Sequence, residues 1–140
     1  MKNFNRIFLS CLLMICAIGA FAVSAEAANL EWTTTELYYE RNDKGEITDT
    51  LIIQGYFANK TGQYVNWFYE VNLTAIIKGK APKAFSRKIP ITVRNFEKMI
   101  DPHSTARHRF HIRNVEIVHP IETFEVIPGY MRWKQSRAAG

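Results

Sequence analysis

The sequence predicts an all-β domain. Beyond residue 27, apolar residues recur at every second position, which is the period of a strand with one buried face. No stretch of ten or more residues in that part repeats at helical spacing. Turn residues interrupt the chain at intervals of about ten residues, and about seven short strands with such turns are typical of a two-sheet antiparallel sandwich.

Residues 1–27 are expected to form a signal peptide that is not part of the fold. Lys2 and Arg6 precede an uncharged run of 17 residues, 7–23, and small residues follow that run, which is the order of segments in a secretory signal. Cleavage after Ala25 or after Ala27 fits the small-x-small rule. The protein is therefore expected in the periplasm or outside the cell. An uncleaved membrane anchor is the alternative, because 17 apolar residues just reach the lower limit of a membrane span.

Both cysteines, Cys11 and Cys16, lie inside this apolar run. After cleavage, the domain at 28–134 and its tail at 135–140 would contain no disulfide, no thiolate nucleophile and no Cys-based metal site. The 113 residues from 28 to 140 form a chain of ordinary domain size. Since such a chain buries roughly two thirds of its unfolded surface, we expect one domain that folds without a cofactor.

The first half of the domain is expected to contain three strands. They are predicted at 30–40, 47–58 and 65–77, with Gly-containing turns at 41–45 and 59–62 between them. The third strand alternates most strictly. At roughly 3.3 Å per residue it would extend about 43 Å, longer than a domain of this size needs, so we expect a bulge or bend within it.

The second half is expected to contain four strands. Residues 78–83 are predicted to be a loop, and 85–94 a strand at a sheet edge, because Pro90 cannot donate a ladder hydrogen bond. Residues 95–102 are predicted to form a turn or a single helical turn. The last three strands are predicted at 104–113, 115–119 and 123–134, the final one interrupted by Pro128 and Gly129.

Three segments carry a resemblance to known domains. The segment LIIQGYFANKT at 51–61 contains an x-G-x-x-x-N-x-T pattern; the alternating strand at 65–73 and, later, HRFHI at 108–112 follow it. This arrangement resembles small exported bacterial Ig-like domains of the FxLYD type and is also similar to late-embryogenesis β-sandwich domains, over about half of residues 28–140. The resemblance implies an Ig-like or fibronectin-like sandwich acting as a non-catalytic module outside the cytoplasm.

Charge is unevenly distributed along the chain. Residues 28–77 contain three Lys and Arg against seven Asp and Glu, whereas residues 78–140 contain thirteen against five. In the strand at 104–113 the cationic positions share one face. If this strand pairs with the one before it, as sequential strands usually do, the two form a cationic ladder. The candidate binding residues are Lys88, Arg94, Arg107, Arg109, His111 and Arg113.

An anionic partner would explain this ladder, since like charges on neighbouring strands lower stability. The candidates are an envelope polymer, a phospholipid head group and an acidic protein surface, while export makes a nucleic acid the poorer candidate. Lys and Arg at sheet edges also prevent aggregation, which is an alternative explanation. A structural subunit that pairs through its sheet edges is the second function class.

Neither catalysis nor metal binding is expected. His108 and His111 point to opposite faces of one predicted strand, and no Cys is available to complete a metal site; the remaining histidines are His103 and His119. Asp101, His103 and Ser104 are the residue types of a hydrolytic triad, but neighbours within one turn seldom converge on one substrate atom. A small hydrolase using His103 is the third alternative.

The segment 130–134 is predicted either to pack as a final strand or to form an aromatic surface for sugars or membranes.

Overall fold

The computed structural model describes residues 29–79 and 84–136. Within these ranges the strands are β1 (Leu30–Arg41), β2 (Ile47–Asn59), β3 (Tyr64–Gly79), β4 (Phe85–Ile100), β5 (Ser104–Ile112) and β6 (Thr123–Ser136). They form two antiparallel three-stranded sheets, in the order β1-β2-β5 (sheet A) and β4-β3-β6 (sheet B). The prediction of an all-β fold with two antiparallel sheets is confirmed. The expected signal peptide, residues 80–83 of the expected loop and residues 137–140 of the tail lie outside the described residues.

One hydrophobic core joins the two sheets. Phe57 of β2 stacks on Phe68 of β3 with ring centroids 4.6 Å apart, and Phe68 stacks on Phe96 of β4 at 4.9 Å. Trp32 of β1 and Phe110 of β5 pack edge to face at 5.0 Å. Aromatic residues from both sheets therefore interlock between the central strands, and each sheet keeps an inner and an outer face.

The segment 115–119 is not a strand, so the prediction of a seventh strand is wrong. Val115 and Val118 are buried, and their backbone amides make single hydrogen bonds, one to β2 and one to a side chain. Val115 N–H donates to the Asp49 carbonyl at 3.0 Å, and Val118 N–H donates to the Tyr39 hydroxyl at 3.0 Å. The segment thus contributes two apolar side chains to the core while a β2 carbonyl and a side-chain hydroxyl satisfy the two amides.

The structure also corrects the limits of β3 and β4. β3 continues through Lys78 and Gly79, which were expected in a loop, and β4 continues to Ile100 in place of the expected turn. Asn95 has a φ of 54°, and it is left out of the pairing with β3, which includes Arg94 before it and Phe96 after it. This local irregularity therefore does not end the strand. The expected bulge or bend in β3 is confirmed by register shifts, including one between Val65 and Trp67. The edge position of β4 is confirmed as well.

Candidate functional site

Strand β5 forms one edge of sheet A and carries the densest group of the predicted cations. Arg107, Arg109 and His111 are exposed on its outer face, while Phe110 between them is buried. Their predicted position on one face is confirmed. Alternate residues of a strand lie about 6.7 Å apart, and exposed Arg113 follows the end of β5. We call Arg107, Arg109, His111 and Arg113 the β5 row.

Arg107, Arg109 and His111 of the β5 row, together with Gln54 and His108, line a shallow depression of about 400 Å³. Antiparallel pairing sets Arg107 opposite Tyr56, Arg109 opposite Gln54 and His111 opposite Ile52 of β2. Arg109 Nε donates a hydrogen bond to Gln54 Oε1 at 3.0 Å. The amide of Gln54 therefore orients one guanidinium group without neutralising its charge.

The arginines of the β5 row form no ion pair with any carboxylate of the described residues. The salt bridges between described residues join Lys60 to Glu31 at 3.0 Å, Arg87 to Glu116 at 3.6 Å and Arg94 to Glu70 at 3.5 Å. All of these pairs are at least partly exposed to water. The β5 row thus differs from Lys60, Arg87 and Arg94 in having no paired acid among the described residues, a property that it shares with exposed lysines such as Lys44, Lys88 and Lys134.

Lys88 and Arg94 do not join this row, because the prediction that β4 pairs with β5 is wrong. β4 pairs with β3 in sheet B, and β5 pairs with β2 in sheet A. Lys88 lies opposite Ile76 and Arg94 opposite Glu70, on the outer face of sheet B. The turn between β4 and β5 carries the chain from one sheet to the other, so Lys88 and Arg94 lie on the opposite outer face from Arg107, Arg109 and His111.

His108 lies on the inner side of β5 and is held neutral. Its ring stacks on Phe96 with centroids 5.1 Å apart and meets Phe110 edge to face at 4.5 Å. Burial among these rings, together with the electrostatic effect of Lys98 and His111, lowers the pKa of His108 from 6.5 to about 4. At neutral pH the imidazole is therefore uncharged and packs as another aromatic ring at the edge of the core.

This low pKa predicts a loss of stability in mild acid. Between pH 6.5 and about 4 the imidazole of the unfolded chain takes up a proton that the folded one does not, so stability falls as the pH falls through this window. Since the ring is only half-buried, solvent screening reduces the effect to roughly 1–2 kcal/mol. Urea unfolding at pH 7 and pH 4.5 measures it. His108→Phe should lessen the difference, whereas the control His119→Phe should retain it; equal pH dependence in all three proteins would contradict the assignment.

The turn before β5 holds the three residue types of the hydrolytic alternative. His103 N–H donates to the Thr61 carbonyl at 3.1 Å, and His103 has a φ of 53°. Ser104 Oγ donates to the Pro102 carbonyl at 3.0 Å, so its hydroxyl is engaged by the backbone. Among residues 29–79 and 84–136, no three His, Cys, Asp or Glu side chains are grouped to hold a metal ion.

A polar network on the outer face of sheet B was not predicted from the sequence. Asn72 Nδ2 donates to Glu70 Oε2 at 2.7 Å, and Thr92 Oγ1 donates to Asn72 Oδ1 at 2.7 Å. The hydrogen bond from Asn72, with the nearby Arg94, lowers the pKa of Glu70. Arg132 adds a guanidinium group 4.7 Å from the centre of the Tyr69 ring. The alternation of β3 marks these positions as outward, but bulges decide which side chains meet.

A second recess, of about 560 Å³, lies between the end of β1 and the start of β6. Leu37, Tyr39 and Phe124 contribute to its lining. The Tyr39 hydroxyl donates to the Glu116 carbonyl at 2.6 Å, and burial raises the pKa of Tyr39. No sequence motif marks this recess, because its walls come from separate segments of both sheets.

At the end of β6, the alternative that the segment 130–134 packs as a final strand is supported. Met131 is buried and Trp133 packs against the core.

Across the described ranges, no helix is long and apolar enough to cross a membrane. No family model, curated protein or solved structure matches the chain.

Proposed function

We propose that this protein is an exported, non-catalytic module with an Ig-like sandwich fold that binds an anionic partner through the β5 row. The observation that carries the proposal is the row itself: Arg107, Arg109 and Arg113 are exposed and have no ion-pair partner among the described carboxylates. The export part rests on the signal-like residues 1–27. N-terminal sequencing of protein recovered from the producing cells, with Glu26 or Ala28 expected first, tests that part.

The unpaired charges have an energetic cost that a partner would remove. Two unit charges about 6.7 Å apart in water repel by about 0.6 kcal/mol before salt screening. An anionic group placed over the row interacts favourably with several of these charges at once, and guanidinium groups bind carboxylates and phosphates in a bidentate manner. The row is therefore suited to an extended anion.

The pattern of pairing favours binding over protection of the sheet edge alone. β4 is also an edge strand, and both of its arginines are paired: Arg94 with Glu70 at 3.5 Å and Arg87 with Glu116 at 3.6 Å, whereas its exposed Lys88 has no ion pair among the described residues. A paired cation still discourages strand addition, because the charged side chain remains at the edge. The unpaired state of the β5 arginines is thus not needed for edge protection.

We expect the triple variant Arg107→Glu, Arg109→Glu, Arg113→Glu to bind poly-L-glutamate at least about tenfold more weakly than the wild type. Removing three favourable contacts of about 0.5–1 kcal/mol each accounts for this loss. Titration of the labelled polymer into the purified protein measures it, and wild-type binding should weaken as salt is added. Vesicles with and without anionic lipid, used in the same assay, separate a head group from a polymer.

The matched control reverses three exposed lysines away from the row, at Lys44, Lys88 and Lys134. Both triple variants change the net charge equally, so a general effect of charge would weaken both alike. Equal weakening would contradict a site on β5, and so would a row variant that binds like the wild type. Circular dichroism of each variant checks that the fold is retained.

A further inference from the structure

The outer face of sheet A has opposite charges along its two edges. Exposed Glu31, Glu36 and Glu40 lie on β1, where Glu31 is paired with Lys60, and the β5 row lies on the other edge. Between them, the outer positions of β2 are uncharged and include Ile52, Gln54 and Tyr56. Since neighbouring strands are about 4.8 Å apart, the acidic and basic edges of one molecule are about 10 Å apart. The face therefore presents two separate, complementary stripes.

The strand register places an acidic residue of β1 and a basic residue of β5 at the same level along the strand direction. Glu36 lies opposite Gln54, and Gln54 lies opposite Arg109, so these three residues form one row across the sheet. In the adjacent row, Ile52 lies between Tyr38 and His111. A bulge between Thr34 and Glu36 sets this alignment. Without it, Glu36 would occupy a different row and the opposite face.

This arrangement is complementary to itself under one kind of two-fold symmetry. If the axis runs along β2, parallel to the strands and above the outer face, β1 of one copy lies over β5 of the other and each row is preserved. Glu36 then faces Arg109 of the second copy, and the same contact occurs twice, as in any isologous interface. An axis across the strands would place β1 over β1 and oppose like charges.

The middle of the face supplies apolar contacts suited to the axis. Tyr56 of central strand β2 is 36% exposed and Tyr38 of β1 is 37% exposed, less than Met99 of sheet B at 58%. Ile52 is 2% exposed although it lies outside the core between the sheets. Tyrosine is enriched at interfaces because its ring gives contact area and its hydroxyl tolerates water. Ile52 and Tyr56 of β2 would lie near the axis, whereas Tyr38 of β1 would face His111 of the second copy.

We propose that the anionic partner of the β5 row is β1 of a second copy of this chain, in a two-fold dimer formed by the outer faces of sheet A. This inference rests on the proposed function, because it identifies the acidic surface that the β5 row binds. A face of three strands, about 14 Å wide and about 30 Å long, buries an area at the low end of specific interfaces. The expected dissociation constant is therefore micromolar, roughly 1–100 µM.

A charge exchange at the Glu36–Arg109 contact tests the dimer. Glu36→Arg alone and Arg109→Glu alone are each expected to raise the dissociation constant at least about tenfold, since each places two like-charge pairs across the axis. The double variant should return to within about threefold of the wild type, because the pair is restored in reverse. Sedimentation velocity over a range of protein concentrations measures all four proteins. Glu125→Arg and Lys88→Glu, at exposed positions on sheet B, are the matched controls and should dimerise like the wild type.

The outcomes separate this inference from the proposed function. A wild type that remains monomeric up to about 1 mM overturns the dimer, while the poly-L-glutamate assay reports on the β5 row independently. A dimer that both single variants leave unchanged, or that the double variant does not restore, also overturns this geometry. Conversely, if the β5 triple variant binds poly-L-glutamate as the wild type does, the proposed function fails whatever the oligomeric state.

Discussion

Replacing Gly55 with Ala is expected to lower the free energy of unfolding by about 3 kcal/mol or more. Gly55 lies in the centre of β2, opposite Thr34 of β1 and His108 of β5. A Cβ atom at this position would lie 1.9 Å from the Thr33 carbonyl oxygen and 2.9 Å from Thr34 Cα. Both are backbone atoms, so no side-chain rotation relieves the clash.

The cause of this close approach is the bulge in β1. Its register against β2 shifts between Thr34 and Glu36. Trp32 is buried before the shift and Leu37 after it, so the inward positions change from even to odd numbers. The bulged backbone occupies the space that a side chain at position 55 would need. Gly55→Ala would displace β1, and with it the row that contains Glu36.

Urea unfolding followed by tryptophan fluorescence measures the effect. Gly62→Ala is the matched control, because the nearest atom to its added Cβ would be His103 Nε2 at 3.8 Å, an ordinary contact. This control is expected to change stability by no more than about 0.5 kcal/mol. If both variants unfold at the same urea concentration as the wild type, the close packing of β1 on Gly55 is contradicted.

The side of β5 that faces water could be predicted because it depends only on the order of residues. Arg107, Arg109 and His111 are separated by inward residues, and a period of two fixes their common face wherever the strand lies. The edge position of β4 followed similarly from the missing N–H of Pro90. Both inferences depend on the local covalent structure of one strand and on no other segment.

The neighbour of β5 could not be predicted in the same way. A short turn at 101–103 is compatible with a hairpin in one sheet and with a crossing between two sheets, and the chain uses the second. The Glu36–Gln54–Arg109 row could not be predicted from the sequence either, since it requires both this topology and a bulge at 34–36. The candidate site therefore retained its β5 residues and lost Lys88 and Arg94.

The two Gly-containing turns look alike in the sequence but differ in the structure. In the exposed first turn, Asn42 Oδ1 accepts hydrogen bonds from the amides of Lys44 and Glu46, both at 2.9 Å. In the second, Asn59 Oδ1 accepts from the Thr61 amide at 3.0 Å, yet Asn59 is only 2% exposed. The same local turn chemistry thus occurs once in water and once in the interior.

Asn59 also connects segments that are distant in sequence. Its Nδ2 group donates to the carbonyl of Gln63 at 2.8 Å and lies within hydrogen-bonding distance of the carbonyls of Ile100 at 3.3 Å and Asp101 at 3.1 Å. One amide group therefore ties the β2–β3 turn to the point where the chain leaves sheet B for sheet A. Buried carbonyl groups without a partner are costly, so this amide stabilises the crossing that positions β5.

Asn59→Ala is therefore expected to lower the free energy of unfolding by about 3 kcal/mol, and Asn42→Ala by no more than about 1 kcal/mol. The first variant leaves carbonyls unpaired in the interior, whereas water replaces the lost partner in the second. Equilibrium urea unfolding of both variants gives the comparison. Asn59→Asp, which keeps the acceptor and places an oxygen against those carbonyls, should be at least as destabilising as Asn59→Ala at pH 7. Equal losses at the two asparagines would mean that the turn alone, and not the buried link to Ile100 and Asp101, accounts for the role of Asn59.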